Sequence, residues 1–541
     1  MGNSRVSLCK VDDLSVGEMR QFSANKKEIL LARVSEEKFV ATAAKCSHYG
    51  APLEKGVLCG DRVVCPWHNA CFSVASGEQL EPPGRDNLAS YAVQVEDGSV
   101  YVDLTDGEDH VVPQMTEQNT ERDGRRFVIV GGGAAGMAAA ERLREKGFEG
   151  EIVVLSAESE LPYDRTKLSK AALQSDEFDG PDLLRSPEFY TQHGIDIKTN
   201  ATVSKVDVQA QTVTYADGET LEYDALLIAT GGKVRSLPID NSDQPNVFTI
   251  RKAQDTQKIV EAAKTAQKVV VIGSGFIGME AASSLRQKGL EVTVVAPNEV
   301  PFEKVLGEQV GKLFQQVHES QGVTFRLGRK ATALKGRDRV ESVELDNGET
   351  LPADIVIVGI GVSPATAFVD GLATDKEDNS VLVNQYLQAA PGVYAAGDIA
   401  QFPHFITGQP TRIEHWRLAM QHGRVAAQNM MQDVALGEET ITSDDMLPFK
   451  AVPFFWSGQF DMKLRYVGHS ENYDDVAIQG SLDDKTFLAF YTEDETVMAV
   501  AGVGRDRDIA AISELMRLGK MPAASEVKQS DRDWVKALSN A

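Results

Sequence analysis

Two stretches of the chain repeat one another: "FVIVGGGAAGMAAAERLREKGFEGEIVVLSAE" from Phe127 and "VVVIGSGFIGMEAASSLRQKGLEVTVVAPNE" from Val269. Each reads as an apolar strand, a glycine turn, an amphipathic helix, a glycine break and a second strand. A lone GxGxxG is a weak signal, but a glycine turn that follows a strand and opens a helix is the context in which it binds a dinucleotide. Gly131 and Gly273 are expected to make the tight turn, and Gly133 and Gly275 to let the backbone approach a pyrophosphate. Gly136 and Gly278 are expected to let the helix pack on its strand; the bland alternative is glycines that serve turns and packing only. A ribose partner belongs at the end of the second strand, about 20 residues on. Glu158 stands there in the first unit, whereas the second runs into Ala296, Pro297, Asn298 and Glu299. With no Arg in that turn to take a 2′-phosphate, NADH is expected, with NADPH as the alternative and Glu299 as the displaced acid.

Two dinucleotides in one chain suggest a division of labour. A nicotinamide delivers a hydride, and a flavin accepts it and releases electrons singly, so FAD is expected in the first unit and NAD(P)H in the second.

The five cysteines of the 541 residues all lie within the first 71. An odd, clustered count points to ligation in a reducing compartment and not to a disulfide framework. Within "CSHYGAPLEKGVLCGDRVVCPWHNACF" the pattern is C-x-H followed by C-x-x-H: Cys46, His48, Cys65 and His68. Zinc sites usually pair Cys with Cys and His with His, while mixed pairs suit a Rieske [2Fe–2S] centre, in which one iron takes two thiolates and the other two imidazoles. Zinc and a satisfied structural cluster are the remaining readings. Cys59 and Cys71 fall outside the pattern and are expected to be small apolar fillers. From residue 72 onward there is no cysteine, so thiol chemistry beside a flavin is excluded.

The fold class is multidomain: an all-β Rieske domain, an α/β two-dinucleotide body and an α+β C-terminal domain. The expected boundaries are 1–106 for the Rieske domain, 107–125 for a linker, 126–250 and 377–440 for the two parts of the FAD domain, 251–376 for the NAD(P)H domain and 441–541 for the last. The linker "GEDHVVPQMTEQNTERDGR" has no apolar periodicity, and "YAVQVEDGSVYVDL" before it alternates like a hairpin. Tethering would raise the effective concentration of the cluster at the flavin, with docking expected near Trp416.

Further segments carry a resemblance. "LLIATGG" (226–232, with Thr230 and Gly231) and "GVYAAGDIA" (392–400) resemble the FAD signatures of two-dinucleotide flavoproteins, in which the residue matching Asp398 binds the ribityl chain. Together with "LPYDRTKLSK" (161–170), "GSGFIGME" (273–280) and "RIEHWRLAMQHGRVAAQNM" (412–430), the chain resembles the apoptosis-inducing-factor and oxygenase-coupled ferredoxin reductase families, in the form that carries a fused Rieske domain. The resemblance implies Arg165 and Lys170 beside FAD, with Lys170 near the isoalloxazine. It implies Glu280 by the nicotinamide, and Trp416 and Trp456 against the flavin. Lys170, Glu280 and Trp416 are the expected catalytic residues. Many relatives have an acid where Ala296 stands. High-potential Rieske proteins carry an extra cysteine in each loop, where Ala51 and Trp67 stand here, so the centre resembles the lower-potential type.

The expected activity is electron transfer from NAD(P)H through FAD to the Rieske centre and on to an unidentified acceptor. A redox-switched signalling protein with slow turnover and an NADH oxidase are the alternatives. Acidic residues outnumber basic ones 80 to 55, a net charge of −25 that argues against nucleic-acid partners. No run is apolar enough to span a membrane, and the N-terminus has no signal-peptide core or clear presequence. Cytoplasmic residence is expected, with mitochondrial association the alternative, and a monomer or homodimer. Gly2 lacks the Ser or Thr at position 6 that myristoylation wants, since Val6 stands there.

Overall fold

The computed structural model describes residues 4–436, 445–529 and 531–541. Gly2 and the expected boundary at 440/441 lie outside the described residues. The N-terminal part has two antiparallel layers. One is a six-stranded sheet in the order Ser4–Lys10, Ser99–Leu104, Ser90–Glu96, Phe39–Ala43, Lys27–Arg33 and Met19–Ala24. The other is a four-stranded meander of short strands, Val57–Cys59, Arg62–Val64, Cys71–Ser73 and Gln79–Glu81. The central strands Lys27–Arg33 and Phe39–Ala43 are buried on both faces: Leu30, Val40, Ala43, Leu53, Val63 and Phe72 form one core with the meander, and Ile29, Leu31, Phe39, Ala41 and Val102 a second. The two loops with the Cys and His residues leave this meander at one end.

The first glycine-turn unit forms a parallel sheet in the order Ile195–Lys198, Glu151–Leu155, Arg126–Val130, Ala225–Ile228 and Val393–Ala395, with Gln388–Ala390 antiparallel at the edge. Its fifth strand arrives after the whole second unit, so the chain leaves this sheet and returns to it. The second unit is a parallel sheet of Val247–Phe248, Ile355–Val358, Lys268–Ile272, Glu291–Ala296 and Thr324–Leu327. These strands read as continuous apolar runs because both faces are covered, one by helices and the other by a small antiparallel sheet, with Val206 and Val213 against the first unit and Leu334 and Val343 against the second. The helix Trp416–Leu436 lies on the first unit's helix Ala134–Glu145; a Cβ on Gly423 would stand 2.0 Å from the carbonyl oxygen of Ala135, so only glycine permits that approach.

The C-terminal region is a five-stranded antiparallel sheet, Phe454–Gln459, Met462–Gly468, Thr496–Val503, Thr486–Glu493 and Asp475–Ser481, followed by helices Asp506–Arg517, Ala524–Gln529 and Trp534–Ser539. Trp534 is fully buried, and its indole N–H donates to Gln479 Oε1 at 3.1 Å, which satisfies the one polar atom that burial would otherwise strand.

The segment 107–125 differs from the free tether expected. Its His110–Val111 pairs with Asn87–Leu88, and His110 Nε2 contacts the Lys45 carbonyl at 2.9 Å. Further on, the Thr116 and Asn119 amides donate to the carbonyls of Arg144 and Glu149 at 2.9 and 2.8 Å. Its lack of apolar periodicity reflects hydrogen bonding to surfaces on either side, which leaves no periodic mark.

Candidate redox centre at a three-domain junction

In each glycine-turn unit the turn is made the way the dinucleotide fingerprint requires. Gly131 has φ of 117°, a Cβ there would meet the Ala229 carbonyl oxygen at 2.3 Å, and a Cβ on Gly136 would meet the Gly131 oxygen at 2.0 Å. Gly273 and Gly278 repeat the arrangement, with closest approaches of 2.3 and 2.4 Å. The space in front of Gly133 and Gly275 is open, and neither helix start has a side-chain cap. Their first-turn N–H groups are therefore left for a phosphate, which fits both nucleotides.

Around the first unit, Glu158 accepts from Tyr163 Oη at 2.5 Å and pairs with Arg165, whose guanidinium also donates to the Arg251 carbonyl at 2.9 Å. Burial pushes the Glu158 carboxyl up, but the Arg165 charge and the Tyr163 and Arg165 hydrogen bonds outweigh it and hold the group below the ordinary carboxylate range. Asp398 accepts from Arg251 Nη2 at 3.1 Å, and its carbonyl accepts from Arg412 at 3.0 Å. Gly231 lies against the same Arg251, 2.8 Å from where its Cβ would be, and Thr230 donates to the Ala365 carbonyl at 2.8 Å. Arg251, which joins two signature segments, carries no sequence signal of its own. In the second unit Ala296 is buried at the strand end, and the exposed Glu299 lies beside Gly328, 3.2 Å from where a Cβ there would stand.

The two units meet at one carboxylate. Glu280, 3% exposed on helix Phe276–Gln287, accepts from Lys170 Nζ at 2.9 Å, from Ser169 Oγ at 2.5 Å and from Ser457 Oγ at 2.7 Å. Those donors come from the segment after Arg165 and from the C-terminal strand Phe454–Gln459. Three regions thus converge on a fully bonded anion, which is how a buried charge is tolerated. Ser169 and Ser457 were not singled out in the sequence, where a lone serine gives no signal.

The strand that presents Ser457 presents Trp456 to its other face, since successive side chains on a strand point opposite ways. Phe455, on the Ser457 side, packs on Phe276 and His415. Trp456 lies against the two histidines of the N-terminal loops, with ring centroids 4.3 Å from His68 and 5.9 Å from His48. Trp416 starts the helix Trp416–Leu436 and packs against the core of the first unit, so the aromatic that meets the histidines is Trp456, while the N-terminal domain does sit near Trp416. The neighbour Arg417 does reach across: its guanidinium donates to the carbonyls of Asn69, Pro82 and Val452 at 3.2, 2.9 and 3.3 Å and faces Glu81 at 3.4 Å.

The Cys–His loops have the donor set of a binuclear centre. The Nδ1 atoms of His48 and His68 face each other at 3.0 Å. Cys46 and Cys65, 1% and 2% exposed, are close enough for their thiols to share a hydrogen bond. The backbone N–H groups of His48 and Tyr49 point at the Cys46 sulfur, and those of Trp67 and His68 at the Cys65 sulfur. Burial opposes the Cys65 thiolate, yet the Cys46 hydrogen bond, these amides and the Arg465 charge hold the group below the ordinary thiol range. Burial pushes His48 down to about 4 and His68 well below its ordinary value, which keeps both imidazoles neutral, as ligation requires. Among the described residues no three such side chains converge on one point, as a mononuclear zinc would need; the donors are two pairs, which suits a [2Fe–2S] cluster. Cys71 is buried and Cys59 half-buried, both as apolar filling.

Comparison with known proteins agrees with this geometry. Residues 125–423 match the pyridine nucleotide-disulphide oxidoreductase family, residues 4–92 the Rieske [2Fe-2S] domain and residues 454–538 the reductase C-terminal domain. The human protein named apoptosis-inducing factor 3 is 37% identical over 98% of this chain and 88% of its own length. Rhodocoxin reductase of Rhodococcus erythropolis is 33% identical over 75% of this chain and 92% of its own. Among solved structures, the ferredoxin reductase for the CYP199A2 system of Rhodopseudomonas palustris superposes with a TM-score of 0.70 at 30% identity, over 76% of this chain and all of that one. The covalent putidaredoxin reductase–putidaredoxin complex gives 0.70 at 29%, over 77% and 99%. The chain belongs to the pyridine nucleotide-disulphide oxidoreductase family, as an FAD- and NAD(P)H-dependent flavoprotein oxidoreductase with a Rieske [2Fe–2S] domain ahead of its body and a reductase C-terminal domain behind.

Proposed function

We propose that this enzyme moves electrons within one chain, from NAD(P)H at the second unit through FAD at the first and into its own Rieske centre, for delivery to an external acceptor. When bound, the flavin supplies the change from hydride to single electrons that a nicotinamide donor and an iron centre need between them. The observation that carries the reading is the Trp456 strand. One residue of it contacts His68 at 4.3 Å, and the next holds Glu280, where both nucleotide units converge.

The residues divide the work by position. Glu280 is fixed by three donors, so its carboxylate orients a nicotinamide without having to move, and Lys170 places a cation at the same spot for the isoalloxazine. Asp398 with Arg251 stands for the ribityl chain, and Glu158 with Arg165 for the adenosine end of FAD. The stretch Ala296–Glu299 contains no arginine, which favours NADH, while Arg329 stands next to it with its amide donating to the Ala296 carbonyl at 3.0 Å.

Anaerobic titration with NADH and with NADPH, followed by visible absorption and electron paramagnetic resonance, tests the relay. NADH should bleach the flavin and then raise the reduced-cluster signal, more readily than NADPH. Flavin bleaching with no cluster signal would break the intramolecular route. Trp456→Ala should slow cluster reduction at least tenfold in stopped flow while leaving flavin bleaching intact.

A further inference from the structure

Beside the cluster loops is a cleft of about 620 Å³, in the range of small-molecule sites. It is bounded by the N-terminal loops, the segment 164–182 and the C-terminal sheet; none of the glycines of either dinucleotide turn lines it, but Lys170 and Ser457 of the Glu280 junction do, so it adjoins the flavin side. Its walls include Tyr49, Trp67, Phe178 and Trp456, four aromatic rings, and His68 opens onto it. His48, by contrast, is covered by Tyr49, stacked at 3.7 Å, and by Trp456.

The wall's charges nearly balance: Lys167, Lys170, Lys463 and Arg465 stand against Asp164, Glu177, Asp179, Asp182 and Asp506, with Lys167 paired to Asp182 and Lys170 to Glu280 at 2.9 Å, so no excess of cations is there to hold a phosphate or a polyanion. Arg465 keeps a donor without a partner: it lines the cleft at 5% exposure, lies 3.7 Å from Asp506, and its Nε makes no hydrogen bond. Aromatic walls, little net charge and a spare guanidinium N–H describe a site for a planar, neutral molecule with a carbonyl oxygen that gains negative charge.

We propose that this cleft binds the acceptor, and that the acceptor is a para-quinone of the naphthoquinone class, seated against His68 and Trp67 with a carbonyl oxygen toward Arg465. The inference rests on the relay proposed above and names its outlet. In balance, NAD(P)H, one proton and the quinone give NAD(P)⁺ and the hydroquinone. The two electrons come from the nicotinamide hydride and reach the quinone singly from the cluster side, one proton derives from that hydride's carbon centre by way of the flavin, and the other comes from solvent. A small acceptor also suits the docked N-terminal domain, since His68 faces a cleft walled by three regions and not an open surface.

The test uses the full-length holoenzyme with 2-methyl-1,4-naphthoquinone as probe and cytochrome c as a protein acceptor. Added under anaerobic conditions to NADH-reduced protein, the quinone should erase the cluster signal faster than cytochrome c does. Added to oxidised protein, it should quench tryptophan fluorescence saturably. Ala172→Trp, which fills the cleft from the segment 164–182, should weaken that binding at least tenfold while NADH still reduces the cluster at the native rate. If the variant does not fold, a quinone-induced change in the cluster resonance of the native protein still reports occupancy beside His68. Equal affinity in the filled variant, no resonance change on quinone addition, or faster cluster oxidation by cytochrome c would each overturn the proposal. A cluster that NADH never reduces would instead defeat the relay on which it rests.

Discussion

The N-terminal domain is seated on two unlike surfaces. Toward the C-terminal region the contact is mainly apolar: Val57, Val64 and Cys71 of the meander share one buried cluster with Val452, Phe454, Phe490, Ile509 and Ile512, with the Arg62–Glu514 pair and an Asn69–Ser513 hydrogen bond set beside it. Toward the first nucleotide unit it is ionic. Arg185 bridges Asp86 at 2.6 Å and Glu141 at 2.8 Å, Arg417 spans three carbonyls and Glu81, and Tyr49 Oη donates to Asp164. Full burial of an aliphatic side chain contributes about 1.5–3 kcal/mol, whereas a buried ion pair gains little net free energy once desolvation is counted. The apolar side therefore supplies the affinity of docking. The ionic side, intolerant of misplacement, fixes the angle at which His68 meets Trp456.

This division can be broken at several points. The largest effect is expected from Val64→Asp, which places an unpaired charge in the shared core and should cost at least about 3 kcal/mol of docking free energy. Hydrogen exchange of strands Val57–Cys59 and Arg62–Val64 in the holoenzyme would report it. Arg417→Met comes next, at about 2–3 kcal/mol, because three carbonyls and a carboxylate lose their donor. Its signature should be slower cluster reduction, out of proportion to any gain in exchange. If Arg417→Met opened the seat further than Val64→Asp, the roles of the two sides would be reversed.

A smaller effect is expected at Glu514, 3% exposed, which faces Arg62 across the apolar side at 3.3 Å. Burial raises its carboxyl, but hydrogen bonding to Arg517 and the charge of Arg62 outweigh that and hold it below the ordinary range. Arg517 holds the carboxyl down in both states, so only the part owed to Arg62 counts toward docking: it stabilises docking above the undocked pKa and is lost as pH falls through the docked value. Protection of the meander should therefore be flat from neutral pH down to about 4.3, the ordinary Glu value, and fall below it. Glu514→Gln should remove this pH dependence at a cost of about 1 kcal/mol, less than a lone pair would give, because Arg517 pairs with Glu514 from the same helix. Least of all should salt matter: raising ionic strength to 1 M should change docking by under about 0.5 kcal/mol, since the bridging groups are buried.

The parts of this molecule that were legible beforehand are those whose chemistry is carried by neighbours in the chain. Gly131 to Gly136 and Gly273 to Gly278 each make their own turn, and Cys46 with His48 and Cys65 with His68 each ride on one short loop. Spacing alone brings such groups together, so the two Cys–His pairs and both glycine turns could be picked out from it. Trp456 shows where that reasoning stops. An α+β C-terminal domain allowed for a strand there, but not that one face would meet histidines some 400 residues earlier in the chain and the other the carboxylate of Glu280. Arg251, Ser169, Ser457 and Arg417 were silent for the same reason, since each acts on a partner remote in sequence.

The sequence by itself determined what the chain can hold: two dinucleotide turns, a pair of Cys–His loops, and no thiol beside the flavin, because these depend on covalent spacing and residue type. Only the tertiary structure decided how they are wired. Burial of apolar strand faces set the C-terminal sheet between the N-terminal loops and the nucleotide units. That packing, enforced by area removed from water and not by any motif, chose Trp456 over Trp416 as the contact to the cluster loops.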